Sequence, residues 1–356
     1  MKCNLATDKV ILGMSGGVDS TAAALLLAEK GFKVIGVYID VTGNNENGRQ
    51  EAEKAARDLG IKFLYKDVSG DFEDIVISNF CEEYLKGRTP NPCVLCNPAV
   101  KFKTLLDAAD ECGAYYVATG HYAKVYHNTE KDHYFIKKAG NQKKDQSYML
   151  YRLTQEVLSR LLLPLAEIKD KDDVRGLVRN YSLANANLKD SQEICFIPNG
   201  IHYINYLMTR GYAIQKGDFI NKDGEILGKH QGLVHYTIGQ RKGLGITFGK
   251  PVFVTKLDDK TNQVMLGDHE ELFGSEVISK ENWFSLADGE TMPPEYEGMN
   301  ITAKIRYAAH PSEAVLYGSE SGIVKTKFAK PQRAITPGQS IVFYQNDLLI
   351  GGGIID

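Results

Sequence analysis

The pattern of sequence elements changes once along this chain, near residue 205, and that change limits the folds open to it. Before it, short apolar runs alternate with helix-like stretches. Residues 9–14 predict a strand and 20–30 (STAAALLLAEK) a helix capped by Ser20. Residues 33–39 and 61–66 predict two more strands with a helix over 50–59 between them. A third helix is expected over 71–86, with Phe72, Ile75, Val76, Phe80 and Tyr84 at its apolar positions, and a further strand over 115–119. Strands alternating with helices of this length make βαβ units and a parallel sheet. After residue 205 helical patterns nearly vanish. Residues 217–226, 252–257 and 263–266 read as short strands joined by turns such as Lys222-Asp223-Gly224. From about Gly274 further strands follow over 301–307, 313–316, 322–328, 339–344 and 348–354, punctuated by Pro293-Pro294 and Pro337-Gly338. The expectation is an α/β domain over 1–204, a small central β domain over 205–273 and a second β domain over 274–356.

Composition narrows the function. A net charge of −3 argues against binding nucleic acid through overall positive charge, though a folded surface can segregate basic patches. Residues 1–8 are polar and lack the apolar stretch of a secretory signal. No run reaches the ~18 apolar residues of a membrane span. Six cysteines in 356 residues do not make a disulfide scaffold, and a reducing cytoplasm is the expected location. There, clustered cysteines are more often catalytic or metal-binding.

Between the first strand and first helix stands Ser15-Gly16-Gly17-Val18-Asp19-Ser20. A strand–loop–helix junction gathers backbone N–H groups at the positive end of a helix dipole, which suits a phosphate. Gly16 and Gly17 allow close backbone approach, Ser15 and Ser20 add hydroxyls, and Asp19 is placed to hold a magnesium ion bridging phosphates. The common nucleotide P-loop has a lysine before its last Ser or Thr; this string does not. It resembles the PP-loop of ATP pyrophosphatases, which cleave ATP to AMP and pyrophosphate.

Two cysteine segments follow. GRTPNPCVLCN (87–97) reads as a loop, because Pro90 and Pro92 bar regular structure, and it carries Cys93 and Cys96. A lone CxxC is open to redox, metal or nucleophilic roles. With no second CxxC, a four-cysteine zinc site is not expected. DSQEICFIP (190–198) carries Cys195, which by itself reads as a buried apolar thiol, as do Cys3, Cys81 and Cys112.

Taken together, GMSGGVDS (13–20), GRTPNPCVLCN, ATGHYAK (118–124), KDQSYML (144–150), DSQEICFIP, HYTIGQRKGLG (235–245), KIRYAAH (304–310) and ITPGQSIVFY (335–344) closely resemble the tRNA-specific 2-thiouridylases, the MnmA family. The resemblance spans nearly the whole chain. It implies a PP-loop domain followed by two β domains, the last a barrel that contacts tRNA. It implies ATP at Gly13, Met14, Ser15, Gly16, Gly17, Val18, Asp19 and Ser20, with Ile39 and Gly120 also touching the nucleotide. Cys96 matches the nucleophile, and Cys195 the carrier of a persulfide sulfur. Asn91, Pro92 and Cys93 match contacts to the target base, and His121 a position beside it. Lys144, Asp145, Gln146, Arg306, Tyr307 and Gln339 match tRNA contacts. The implied activity is adenylation of uridine O2 followed by sulfur transfer, with a cysteine desulfurase or persulfide carrier protein as sulfur donor.

Further cations suited to RNA phosphates are Lys137, Lys138, Lys143, Lys229, Lys304 and Arg333, with Arg241 and Lys242 equally open to β-domain structure or a protein partner. One position departs from the family: Cys93 stands where many members have Asp. Cys93, Cys96 and Cys195 would then also suit a [4Fe–4S] cluster held by three thiolates. The competing readings are a small-molecule ligase of the same superfamily, which leaves the placed cysteines unexplained, and a non-catalytic tRNA-binding paralogue.

Overall fold

A computed structural model of the chain describes residues 6–181, 194–246, 249–318 and 322–356. Cys3 and residues 190–193 of the DSQEICFIP string lie outside the described residues. The chain divides into two compact units. One comprises Met1–Val76, Cys93–Gln192 and Asp347–Ile350; the other Ile77–Pro92, Glu193–Asn346 and Gly351–Asp356.

The first unit is built on a parallel sheet. Its strands are β1 (Ala6–Gly13), β2 (Lys33–Asp40), β3 (Lys62–Asp67), β4 (Ala114–Ala118) and β7 (Leu161–Leu162); β5 (Lys124–Asn128) and β6 (His133–Lys137) form an antiparallel hairpin that is not part of it, β6 pairing instead through Lys137 with Leu348. The order is β3-β2-β1-β4-β7, and each neighbouring pair runs parallel. Val10, Ile11 and Leu12 of β1 are wholly buried, as a central strand covered on both faces requires. The chain steps outward from β1 to β3, then returns to the other side of β1 at β4. The crevice beyond the β1 and β4 carboxyl ends is therefore the topological switch point, where open α/β sheets bind ligands.

Helix α1 (Val18–Glu29) follows β1 directly. One side packs on the sheet, where Ala23, Ala24 and Leu27 meet Val10, Leu12, Val34 and Ala118. The other side joins Val18, Ala22 and Leu25 to Val174 and Val178. A helix covered on two sides explains the unbroken AAALLLA run. Helices α2 (Glu46–Asp58) and α3 (Ser69–Phe72) follow β2 and β3, and in the second unit α4 (Ser78–Leu85) continues after a π-helical turn over Glu73–Ile77.

Two expectations are corrected. Ser20 does not cap α1. The helix begins at Val18, with Gly17 at the cap in extended geometry, and the Ser20 hydroxyl donates back to the Gly17 carbonyl at 3.1 Å. Nor is 87–97 a loop throughout. Pro92 starts a short helix, α5 (Pro92–Cys96), which runs through a π-helical turn (Asn97–Phe102) into α6 (Lys103–Glu111). Proline at a first helical position loses only an N–H that has no helical partner, and its φ is already helical. Helices α7 (Gln155–Arg160) and α8 (Lys171–Asn180) complete the described helices of this unit.

The second unit contains α9 (Tyr203–Thr209) and two β structures. Strands β8 (Gly217–Ile220), β9 (Ile226–His230), β10 (Phe253–Asp258) and β11 (Gln263–Gly267) form a sheet in the order β10-β11-β8-β9. Its core gathers Phe219, Leu233, Tyr236, Leu244, Val254, Val264 and Leu266. Strands β12 (Phe273–Phe284), β13 (Asn300–Lys304), β14 (Ser312–Gly318), β15 (Val324–Arg333), β16 (Ser340–Gln345) and β17 (Leu348–Ile355) follow, in a sheet of order β12-β15-β14-β13-β16-β17-β6-β5. Pairing of β17 with β12, Ser279 opposite Ile355, closes six of these strands into an antiparallel barrel. The α/β class followed by β domains is as the sequence predicts.

Candidate active site

At the switch point, one cavity is lined by Gly13, Met14, Ser15, Asp19 and Ser20 of the loop, by Val37, Tyr38 and Ile39 of β2, by Thr119, Gly120 and His121 after β4, and by Lys101 and Gln146. Most of the expected nucleotide positions thus converge, while Gly16, Gly17 and Val18 are not among the lining residues. The loop is held by its own groups. Ser15 N–H donates to the Ser20 hydroxyl at 3.3 Å, Gly17 N–H to the Ser15 hydroxyl at 3.4 Å, and Met14 N–H to the Val37 carbonyl at 2.8 Å. Because Gly17 has no side chain to cap α1, the helix keeps the positive end that a phosphate would meet.

Two glycines are dictated by close approach. Gly16 takes φ +78°, and a Cβ there would lie 2.9 Å from backbone atoms of Glu51 and Ala52 on α2. Gly120 has no room either: a Cβ would lie 2.9 Å from the Asp19 carbonyl carbon and 3.1 Å from Ser20 N.

Asp40 shapes the β2 side. Its buried carboxylate accepts from Thr42 N–H and hydroxyl, Gly43 N–H, Asn45 N–H and the Tyr65 hydroxyl at 3.0–3.3 Å. Burial opposes its ionisation, but these donors outweigh it and hold its pKa below the ordinary value. The turn after Ile39 is fixed as a result. Burial pushes the neighbouring Tyr38 up to about 12, so its hydroxyl stays protonated.

Asp19 is engaged on two sides. Lys171 Nζ lies 2.6 Å from Oδ1 and 2.7 Å from Oδ2, and the Tyr122 hydroxyl donates to Oδ1 at 2.7 Å. Tyr122 is clamped in turn by Gln146, which accepts from its N–H at 2.9 Å and donates to its carbonyl at 2.7 Å. Sequence reasoning missed Lys171 and Tyr122, because neither belongs to a phosphate-binding string. A single carboxylate beside substrate phosphates is the usual protein contribution to a magnesium–nucleotide site, so Asp19 fits that group once it exchanges its present partner. Among the described residues, no three His, Cys, Asp or Glu side chains gather to hold a metal ion by themselves.

The π-helical turn that follows the Cys96 helix reaches the same cavity through Lys101. Cys96 is buried and Cys93 exposed. Asn97 anchors the turn by donating to the Met149 carbonyl at 2.9 Å, and the π-helical turn brings Lys101 into the cavity wall. π-helical turns of this kind recur at functional sites. Burial pushes the Cys96 thiol up; Lys101 opposes this and Cys93 adds to it. Cys96 ends α5 rather than starting a helix, so no positive helix terminus assists ionisation. His121 bonds Thr119 at 2.8 Å through Nδ1 and stacks on Phe102. Burial, then Lys101, push its pKa down to about 3, so it is neutral near pH 7.

Asp145 turns inward. It accepts from Ala139 N–H at 2.9 Å and from the Ser147 hydroxyl at 2.8 Å, a structural tie. Lys144 lies in the preceding turn, its N–H bonded to Asn141.

Cys195 belongs to the second unit and is exposed. It is not the buried thiol that its residue type alone suggests. The next residue, Phe196, is buried edge-on against Phe80 at 5.1 Å and near Tyr206, while Tyr84 stacks on Tyr203 at 4.4 Å. This aromatic group anchors the C-terminal side of the cysteine. In the same unit Gln339 donates to the Thr89 carbonyl at 2.8 Å, and Thr89 N–H donates to Pro337, fastening the segment that leads to Asn91 and Pro92. Arg306 donates to the carbonyls of Arg333 and Ala334, and Tyr307 is exposed under the Lys304 ammonium. Exposed Lys229 pairs with the half-buried Asp218 at 2.6 Å.

Comparison with known proteins agrees with this layout. Residues 8–199 match the tRNA methyl transferase HUP domain, 205–268 the tRNA methyl transferase PRC-barrel domain, and 277–355 the aminomethyltransferase beta-barrel domain. The tRNA-specific 2-thiouridylase MnmA of Clostridium acetobutylicum is 46% identical over 98% of this chain and 99% of its own length. The chain belongs to the MnmA family. Other MnmA proteins are similarly near: MnmA 2 of Clostridium botulinum strain Hall and MnmA 2 of Thermoanaerobacter sp. strain X514 are each 45% identical, over 98% of both chains. The HUP architecture of the MnmA family accords with ATP binding at the switch-point cavity. Among the described residues, no helix is long and apolar enough to cross a membrane.

Proposed function

We propose that this chain is an ATP-dependent tRNA uridine 2-sulfurtransferase acting in the cytoplasm. The observation that carries the reading is that one cavity is walled both by the SGGVDS loop and by Lys101, five residues after Cys96. An adenylation site and a cysteine segment therefore share a wall, an arrangement that a small-molecule ligase does not need.

ATP would lie with its phosphates at the α1 terminus and its base toward Ile39. The loop N–H groups and the Ser15 and Ser20 hydroxyls would hold the phosphates. Asp19 would hold a magnesium ion, which when bound offsets phosphate charge. The target uridine, splayed out of an RNA loop, would reach the cavity near His121, and Asn91, Pro92 and Cys93 are assigned to contact with the base. Its O2 attacks the α-phosphorus and releases pyrophosphate, so C2 carries adenylate as a leaving group. The terminal sulfur of a Cys195 persulfide attacks C2 and AMP departs. The Cys96 thiolate then attacks Cys195 Sγ, forming a Cys96–Cys195 disulfide and leaving the sulfur on C2. An external thiol reduces the disulfide, and a cysteine desulfurase or persulfide carrier protein reloads Cys195. Neutral His121 can accept or donate one hydrogen bond near the base but carries no charge. This reaction needs no iron–sulfur cluster.

We assign the chemistry to residues 1–204. The small β domain over 205–273 follows, and the barrel over 274–356, with Arg306, Tyr307 and Gln339, is assigned to tRNA contact, together with Lys144, Asp145 and Gln146. Pyrophosphate release tests this: unmodified tRNA should stimulate it, and citrulline or other small carboxamides should not. Stimulation by a small carboxamide alone would reject the reading.

A further inference from the structure

The phosphate loop has an electrostatic problem. Asp19 stands just before the last serine of SGGVDS, the position at which a nucleotide P-loop carries lysine. Its carboxylate lines the cavity, where it would repel a polyphosphate.

The fold brings a lysine to this point from 152 residues away. Lys171 is the first residue of α8, and its ammonium spans both Asp19 oxygens at 2.6 and 2.7 Å. Its placement is rigid. Asp170 caps α8 by accepting from Asp172 N–H at 3.0 Å, and Val174 and Val178 dock the helix on Val18, Ala22 and Leu25 of α1. The side chain is only 11% exposed, while Asp19 is 35% exposed. Tyr122, held by Gln146, steadies the carboxylate from another direction. A lysine stem buried beside a helix terminus, with its head group on a cavity-lining carboxylate, is poised one contact away from a bound phosphate.

We propose that Lys171 is a nucleotide-binding residue, the cation that the SGGVDS loop lacks, held at the loop by Asp19 and passed to the phosphates of ATP. The proposal rests on the assignment of the cavity to ATP. Its rival is that Lys171 acts only through Asp19, by cancelling its charge.

Calorimetric titration of the full chain with ATP, inorganic pyrophosphate and adenosine separates the two. Lys171→Met should weaken ATP and pyrophosphate by about tenfold or more, as expected for loss of a charge-assisted contact, and change adenosine by less than about twofold. Lys171→Arg, which keeps the charge, should retain most of the affinity. In an Asp19→Asn background, Lys171→Met should still weaken pyrophosphate by about fivefold or more. No loss in that background would overturn the proposal, since Lys171 would then act only through Asp19. Equal losses of adenosine and pyrophosphate would overturn it too, as would an Arg variant that melts normally and binds as weakly as Met. If wild-type protein binds pyrophosphate in this Lys171-dependent way but not ATP, the nucleotide assignment fails while the phosphate role of Lys171 stands.

Discussion

Gly120 and Asp19 approach so closely that a β-carbon on the glycine would lie 2.9 Å from the aspartate carbonyl carbon. The turn after β4 is thereby pressed against the first turn of α1, and the two walls of the cavity are fixed to each other. Gly120→Ala should force one wall to move. Because the obstruction is backbone, a loss near the upper end of the ~1–3 kcal/mol typical of overpacking is expected. Thermal melting should show that loss, and ATP titration a weaker affinity; an unchanged melt and unchanged binding would contradict the packing described.

The two cysteines should separate chemistry from binding. Cys96→Ala and Cys195→Ala should each abolish thiolation, while ATP affinity stays within about twofold of wild type, since neither thiol lines the cavity. Nucleoside analysis together with ATP titration checks both halves. Substantial thiolated product from either variant would reject that residue's role.

Burial also dictates how Cys96 responds to pH. A pKa raised above the ordinary 9.0 leaves less thiolate at any given pH, so alkylation of Cys96 should be slow at pH 7 and climb only above pH 9. Lys101→Met should move the climb further up, because the lysine opposes the effect of burial. Alkylation followed by mass spectrometry, with exposed Cys93 as the internal comparison, gives the profile. A Cys96 midpoint below 9 would contradict the described burial.

How much of this was legible in the sequence differs by feature. The loop could be read because strand, SGGVDS and helix are contiguous, and their order alone implies a helix terminus facing a ligand. The closing of β17 on β12 was not readable in the same way, since Ser279 and Ile355 meet only through tertiary pairing. Lys171 was hidden for a similar reason: in sequence it is an ordinary helix-start lysine, and only the docking of α8 on α1 places it on Asp19. The orientation of Asp145 was not legible either. Its string matched tRNA-contacting positions, yet local hydrogen bonds to Ala139 and Ser147 turn it inward. Pro92 misled because proline was counted as a helix breaker at a position where a helix accepts it.

His121 should make the protein sensitive to acid. Its folded pKa of about 3 lies below the ordinary 6.5, so between these values the unfolded chain binds a proton that the folded chain does not. Stability attributable to this group is complete above pH 6.5 and falls as pH drops toward 3, with a slope of at most ~1.4 kcal/mol per pH unit. Denaturant unfolding of wild type and His121→Gln from pH 4 to pH 8 checks this, and the variant should show the shallower decline. Equal slopes would mean that the imidazole titrates normally in the folded state.

The central claim is that ATP cleavage at the SGGVDS loop drives sulfur onto a tRNA uridine. Mass spectrometry of nucleosides from unmodified tRNA incubated with the enzyme, magnesium, ATP and a persulfide source tests it most directly. The account predicts 2-thiouridine, dependent on ATP and accompanied by equimolar AMP and pyrophosphate. Tight tRNA binding with no thiolated nucleoside, or thiolation that proceeds without ATP, would contradict it.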